Sequence, residues 1–146
     1  FTPDNKYIIT GASDYIRVFD VQLNKLVFVL SGGHKKTITG LAVSSDSRFL
    51  VSGGLDGTLV KWDLQRREIL QIVEEAHHGT TMNGKSLLIL QIVLYSLDSL
   101  SQDNPDDLWV ITAAADNSIK IFNLTDLSLY HTLENAHNGK LTICNE

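Results

Sequence analysis

The sequence holds a single cysteine, Cys144, and two prolines among its 146 residues. One thiol cannot build an internal disulfide framework, which fits a reducing compartment; the expected location is intracellular, cytoplasmic or nuclear. Basic charge is scarce too: 12 Lys and Arg stand against 17 Asp and Glu, a net charge of −5. From such a balance no nucleic acid or anionic membrane surface is expected as a partner. The basic pairs Lys35-Lys36 and Arg66-Arg67 read as solvated loop residues. Long apolar runs are missing as well: Leu87 to Leu97 is interrupted by Gln91 and is too short to cross a bilayer. The opening FTPDNKYIIT has neither the basic start nor the apolar stretch of a signal peptide. Phe1 in place of Met leads us to expect a piece of a longer chain.

What the chain does have is repetition. ITGASDYIRVFDV, VSGGLDGTLVKWDL and ITAAADNSIKIFNL follow one pattern and carry matching residues at Asp20, Asp63 and Asn123. Histidines keep step at His34, His77 and His137, and both series are spaced by 43 and then 60 residues. Two markers in one register make a repeat architecture the first inference. Within the units, short runs with strand character alternate with turn chemistry. In the best-kept unit, strands are expected over 38–44, 48–52, 58–63 and 68–73, with turns at Ser45-Asp46-Ser47, Gly53 to Gly57 and Gln65-Arg66. Asp56-Gly57 is a hairpin signal, because glycine accepts the positive φ that tight turns demand. Four strands in about 43 residues describe one blade of an all-β propeller of antiparallel blades.

About three blades' worth of strands is present. We divide the chain into a partial blade at 1–32, a blade at 33–75, and a blade at 76–135. The last carries insertions near 79–86 and 97–107, and the start of a further blade follows at 136–146. FTPDN reads as the turn after an absent first strand, and LTICNE as the first strand of a blade whose remainder is missing. Three blades leave two open edges, whereas propellers usually have four to eight blades. Either the chain is an excerpt of a larger ring, or two copies form a homodimer closing a six-bladed ring. In the second case Leu141 to Cys144 would complete the partner's first blade.

The units resemble the WD-repeat propeller family, whose repeats run from a Gly-His pair to a Trp-Asp pair. Gly33-His34 and Trp62-Asp63 match it within one unit. The resemblance implies a buried hydrogen-bonded network of His34, Ser52, Asp56 and Trp62, echoed by His77, Thr112, Asp116 and Phe122. The first unit supplies Thr10, Asp14 and Phe19, its histidine position falling before residue 1. Phenylalanine at 19 and 122 keeps the ring but loses the indole donor, so those networks should be shorter. Two departures stand out. Ala76-His77 and Ala136-His137 replace Gly-His, and Lys61 sits where Val18 and Ile121 stand in the sister units. We read Lys61 as a local irregularity, a shifted register or a snorkelling stem, in preference to a functional lysine.

One sharp motif competes. Gly79, Gly84, Lys85 and Ser86 satisfy the P-loop template G-x-x-x-x-G-K-[ST], the alternative being a nucleotide-binding module over 79–86. A P-loop needs a strand directly before it and a helix directly after. Here the segment EEAHH intervenes, and Ile92 to Tyr95 is needed as a blade strand. The histidines fall in different blades, so no metal site is expected, nor any cofactor. His, Ser and Asp recurring in several blades argue for architecture over catalysis, so no enzyme is expected. Asn123-Leu124-Thr125 is a glycosylation sequon, but it lies inside the repeat pattern. The resemblance implies a non-catalytic scaffold for other proteins or peptides. Tyr15, Lys35, Lys36, Leu55, His78 and Asn138 are its candidate contacts on one face.

Overall fold

The structure, a computed structural model, describes residues 1–77, 89–96 and 108–136. Alternation of β-branched and aromatic residues with turn residues produces eleven strands among them. The first three are β1 (Tyr7–Ala12), β2 (Tyr15–Asp20) and β3 (Lys25–Leu30). Next come β4 (Ile38–Val43), β5 (Phe49–Gly54), β6 (Leu59–Asp63) and β7 (Glu68–Val73). The last four are β8 (Ile89–Ser96), β9 (Leu108–Ala114), β10 (Ile119–Asn123) and β11 (Leu129–Leu133). They form three antiparallel meanders, β1-β2-β3, β4-β5-β6-β7 and β8-β9-β10-β11. The all-β expectation of antiparallel blades therefore holds, and the expected strand runs of the middle unit agree with β4 to β7 within two residues at each end.

Two apolar layers hold the sheets together. Between the first and second lie Ile16, Val18 and Leu30 against Leu50, Val60 and Trp62. Between the second and third lie Val51 and Leu59 against Ile92, Val110 and Phe122. The period of two along each strand makes this possible: Leu50, Ser52, Val60 and Trp62 face the first sheet, while Val51, Leu59 and Lys61 face the third. Neighbouring sheets approach closely where a side chain is missing. A Cβ on Gly11 would lie 3.2 Å from Ile38 Cγ2, and one on Gly40 would lie 3.1 Å from Ile92 Cγ1.

Two details recur from sheet to sheet. The register slips once between the third and fourth strand positions, at Val18/Phe19, Lys61/Trp62 and Ile121/Phe122. Because the slip occurs in all three sheets, it is not an irregularity introduced by Lys61. A second recurrence is the turn leading into β1 and β5. Thr2 Oγ1 accepts from the Tyr7 amide at 2.9 Å and donates to Asp4, and Ser44 Oγ repeats the arrangement with the Phe49 amide at 2.9 Å and Asp46. Small hydroxyls followed by Asp are strong turn formers because they bond their own backbone.

Candidate functional site

The second sheet carries His34, Ser52, Asp56 and Trp62 into one buried cluster at its boundary with the first sheet. The Trp62 indole N–H donates to Ser52 Oγ at 2.8 Å, and Ser52 lies 2.7 Å from His34 Nε2. His34 Nδ1 lies 3.3 Å from Asp56 Oδ1. A carboxylate only accepts, so the proton on His34 belongs on Nδ1, and the Ser52 hydroxyl then donates to Nε2. The bonds run head to tail: indole to hydroxyl, hydroxyl to imidazole, imidazole to carboxylate. Asp56 also accepts from the backbone amides of Lys35 at 2.7 Å and Thr58 at 3.2 Å, so it ties a loop and a turn to the ring.

The charge states agree with these directions. Burial pushes the His34 imidazole below its ordinary pKa and outweighs the pull of Asp56, which keeps the ring neutral. Burial also pushes Asp56 up, but the Lys35 and Thr58 amides and His34 together outweigh it. The carboxyl ends below its ordinary value and stays ionised.

The third sheet builds a related cluster from different parts. His77 Nε2 lies 2.7 Å from Thr112 Oγ1, and Nδ1 is shared between Asp116 Oδ2 at 3.1 Å and Ser118 Oγ at 3.0 Å. Ser118 then donates to Asp116 Oδ1 at 2.7 Å. Ser118 was not singled out by the sequence reading. Its signal is the pattern Asp-x-Ser/Thr shared by Asp56-Gly57-Thr58 and Asp116-Asn117-Ser118. Asp116 lies below its ordinary pKa: burial raises it, and the bonds from Ser118 and the pull of His77 outweigh that rise.

Glycine and alanine before the two histidines have a steric cause. A Cβ on Gly33 would stand 2.8 Å from Trp62 Cζ2, closer than atoms can pack. In the third unit the ring is the smaller Phe122, and Ala76 is buried in the same apolar cluster. Gly with Trp and Ala with Phe are two solutions to one volume constraint.

The first unit does not assemble a cluster. Thr10 pairs with Arg17 as Ser52 pairs with Val60, yet Thr10 is exposed. Ala12 pairs with Tyr15, so only Ser13 and Asp14 form the turn, with Ser13 at a left-handed φ of 59°. That turn is one residue shorter than its sister and leaves Asp14 exposed at the tip. Among the described residues no hydrogen bond joins Thr10 to Asp14. A residue missing from the turn accounts for the difference from the expected set.

The rim residues are dispersed. Tyr15 is half-buried and its hydroxyl accepts from the Arg17 guanidinium at 3.0 Å. Lys35 is exposed and pairs with Glu74 at 2.8 Å, Lys36 is exposed, and Leu55 is half-buried. His78, Asn138, His137 and the P-loop-like Gly79, Gly84, Lys85 and Ser86 lie outside the described residues, as does the segment Leu141 to Cys144. Among the described residues no three His, Cys, Asp or Glu side chains converge as metal ligands. Lys61 neither snorkels nor shifts its strand: it is 6 % exposed, and its Nζ donates to Leu124 O at 2.8 Å and Thr125 O at 2.9 Å.

Meandering antiparallel sheets stacked side by side through two apolar layers, with His-centred clusters at their boundaries, define a segment of β-propeller. The family profile described as "WD domain, G-beta repeat" matches residues 24–63 and 94–123. The chain belongs to the WD40-repeat β-propeller family. It is 24% identical to the U3 small nucleolar RNA-associated protein 12 of Saccharomyces cerevisiae, over 91% of this chain and 14% of that protein. It is 27% identical to a guanine nucleotide-binding protein subunit beta-like protein of Encephalitozoon cuniculi, over 82% of this chain and 31% of the relative. Its fold matches the β-propeller domain of Myceliophteria thermophila Cps50 (Swd1) with a TM-score of 0.70 at 18% identity, over 91% of this chain and 37% of that one. The chain thus spans less than a third of the length of these two relatives.

Proposed function

We propose that this chain supplies blades to a WD-repeat scaffold that binds other proteins or peptides through its loops and performs no catalysis of its own. The supporting observation is the placement of the reactive-looking groups. His34, Ser52, His77 and Thr112 are all buried between sheets. A Ser or Thr nucleophile needs substrate access, and a hydroxyl sealed between sheets, bonded on both sides, has none. The polar clusters fasten loops instead: Asp56 holds the Lys35 amide, and the Lys120 ammonium donates to Ala76 O at 2.7 Å beside His77. Loops fixed on a rigid frame make a binding surface.

The division into blades at 1–32, 33–75 and 76–135 belongs to this reading, as does binding through Tyr15, Lys36 and Leu55. A relative named for association with a small nucleolar RNA favours a nuclear setting within large assemblies, where this chain's acidic balance suits protein contacts. Affinity purification of the full-length protein tests the proposal. Tyr15→Ala with Lys36→Glu and Leu55→Asp should strip away co-purifying proteins while the melting temperature stays within a few degrees. An unchanged set of partners removes this rim from the binding surface. ATP titration against Lys85→Ala tests the nucleotide alternative: saturable binding lost in the variant would replace the scaffold reading.

A further inference from the structure

Lys61 and Gln71 are register partners on neighbouring strands β6 and β7, and both reach from the second sheet to the third. Lys61 Nζ donates to the carbonyls of Leu124 and Thr125, at 2.8 Å and 2.9 Å, and Gln71 Nε2 donates to the carbonyl of Asp126. Three consecutive backbone oxygens in the turn between β10 and β11 are therefore captured by two side chains of the adjacent blade. The Phe49 ring closes the site, its centroid 4.7 Å from the ammonium. We infer that Lys61 and Gln71 form an inter-blade clasp, a conformational lock that fixes the outer hairpin of the third blade to the second.

The opposite interface shows what the position does without the clasp. There the equivalent pair is Val18 and Phe28, also register partners, and Arg67 from the next blade's turn stacks 4.7 Å over the Phe28 ring. The same register position thus carries an apolar pair capped by a guanidinium at one boundary and an ammonium bonded to main-chain oxygens at the other. A buried ion pair can often be exchanged for apolar residues without loss, because both charges leave together. That escape is closed here. The acceptors are backbone carbonyls that no side-chain substitution removes, so losing Lys61 leaves them short of donors. Asp126 is the nearby acid, but its carboxylate already takes the Ser128 amide at 2.9 Å and the Ser128 hydroxyl at 2.7 Å. The clasp therefore works through carbonyl dipoles, with the carboxylate contributing only at a distance.

Hydrogen exchange on the full-length protein tests the inference. In Lys61→Met, amides of the turn 123–128 should exchange about tenfold faster, while those of β4 and β5 keep their protection. Gln71→Leu, at a half-buried position, should give a smaller rise confined to the same turn and keeps the test alive if Lys61→Met fails to fold. In Lys61→Ala, added methylammonium should restore slow exchange, since a free cation can occupy the ammonium's place among the carbonyls. Unchanged exchange of the turn in both Lys61→Met and Gln71→Leu overturns the clasp, as does a rise spread evenly over all three sheets.

Discussion

Asp56 is bonded by more partners than any single apolar contact could replace. Two backbone amides and an imidazole donate to it, and each donor stranded in the interior costs about 1–3 kcal/mol. Asp56→Ala should lower stability by about 2–4 kcal/mol in urea denaturation, whereas Asp14→Ala, at an exposed turn tip, should stay within about 0.5 kcal/mol. Equal shifts in midpoint would contradict the network. The neutral His34 adds a pH dependence whose sign is fixed. Its folded pKa lies below the ordinary 6.5, so as pH falls through that value the unfolded chain takes up a proton that the folded chain refuses. Stability present above about pH 6.5 should decline below it, and the depressed pKa of Asp56 should add a second decline below the ordinary 3.8. Urea midpoints measured from pH 7 downward should show the first decline, and His34→Gln should flatten it.

At the scale of the strand and its neighbour, volume decides. Phe122→Trp should overpack the third blade against the Ala76 methyl and cost about 1–3 kcal/mol. Ala76→Gly in the same chain should recover much of that loss, a coupling that a double-mutant cycle of melting temperatures would reveal. Gly33→Ala should be harmful for the mirror-image reason, its methyl meeting the Trp62 ring. The strands themselves were legible in the sequence because period-two alternation and turn residues are local signals; β4 to β7 were outlined by them. The His34 cluster was expected from the family resemblance that Gly33-His34 and Trp62-Asp63 carry, and not from spacing alone, since histidine and hydroxyl stand 18 residues apart in the second unit and 35 in the third. The role of Lys61 was not legible. Its acceptors lie 63 and 64 residues further along and are main-chain oxygens, which no side-chain pattern announces. The missing cluster of the first unit was hidden for a different reason: one residue fewer in a turn changes where Asp14 points, while the motif letters look intact.

Among the described residues, two boundaries between sheets are filled and the outer flank of the first sheet is not. On that flank Ile8, Phe19 and Leu26 lie in one row across the strands and Thr10, Arg17 and Val29 in the next. Leu26 and Val29 are exposed at 48% and 47%. An apolar sheet face of this kind seeks a cover. Light scattering on the 146-residue chain should therefore find association that grows with concentration, and Leu26→Lys with Val29→Thr should weaken it. A discrete dimer would support the six-bladed ring; a monomer at every concentration would refute self-association through this face. The head-to-tail order of the second blade's bonds has one more consequence. Trp62 is an emitter wired through a hydroxyl to an imidazole, whereas the other tryptophan, Trp109, leans against exposed Tyr130 at a tilt of 53° with ring centres 4.6 Å apart. Protonating His34 would turn its bond with Ser52 around while the indole N–H, a donor only, still points at the hydroxyl, so the colour and yield of Trp62 emission should report the state of the first boundary optically, before the chain unfolds.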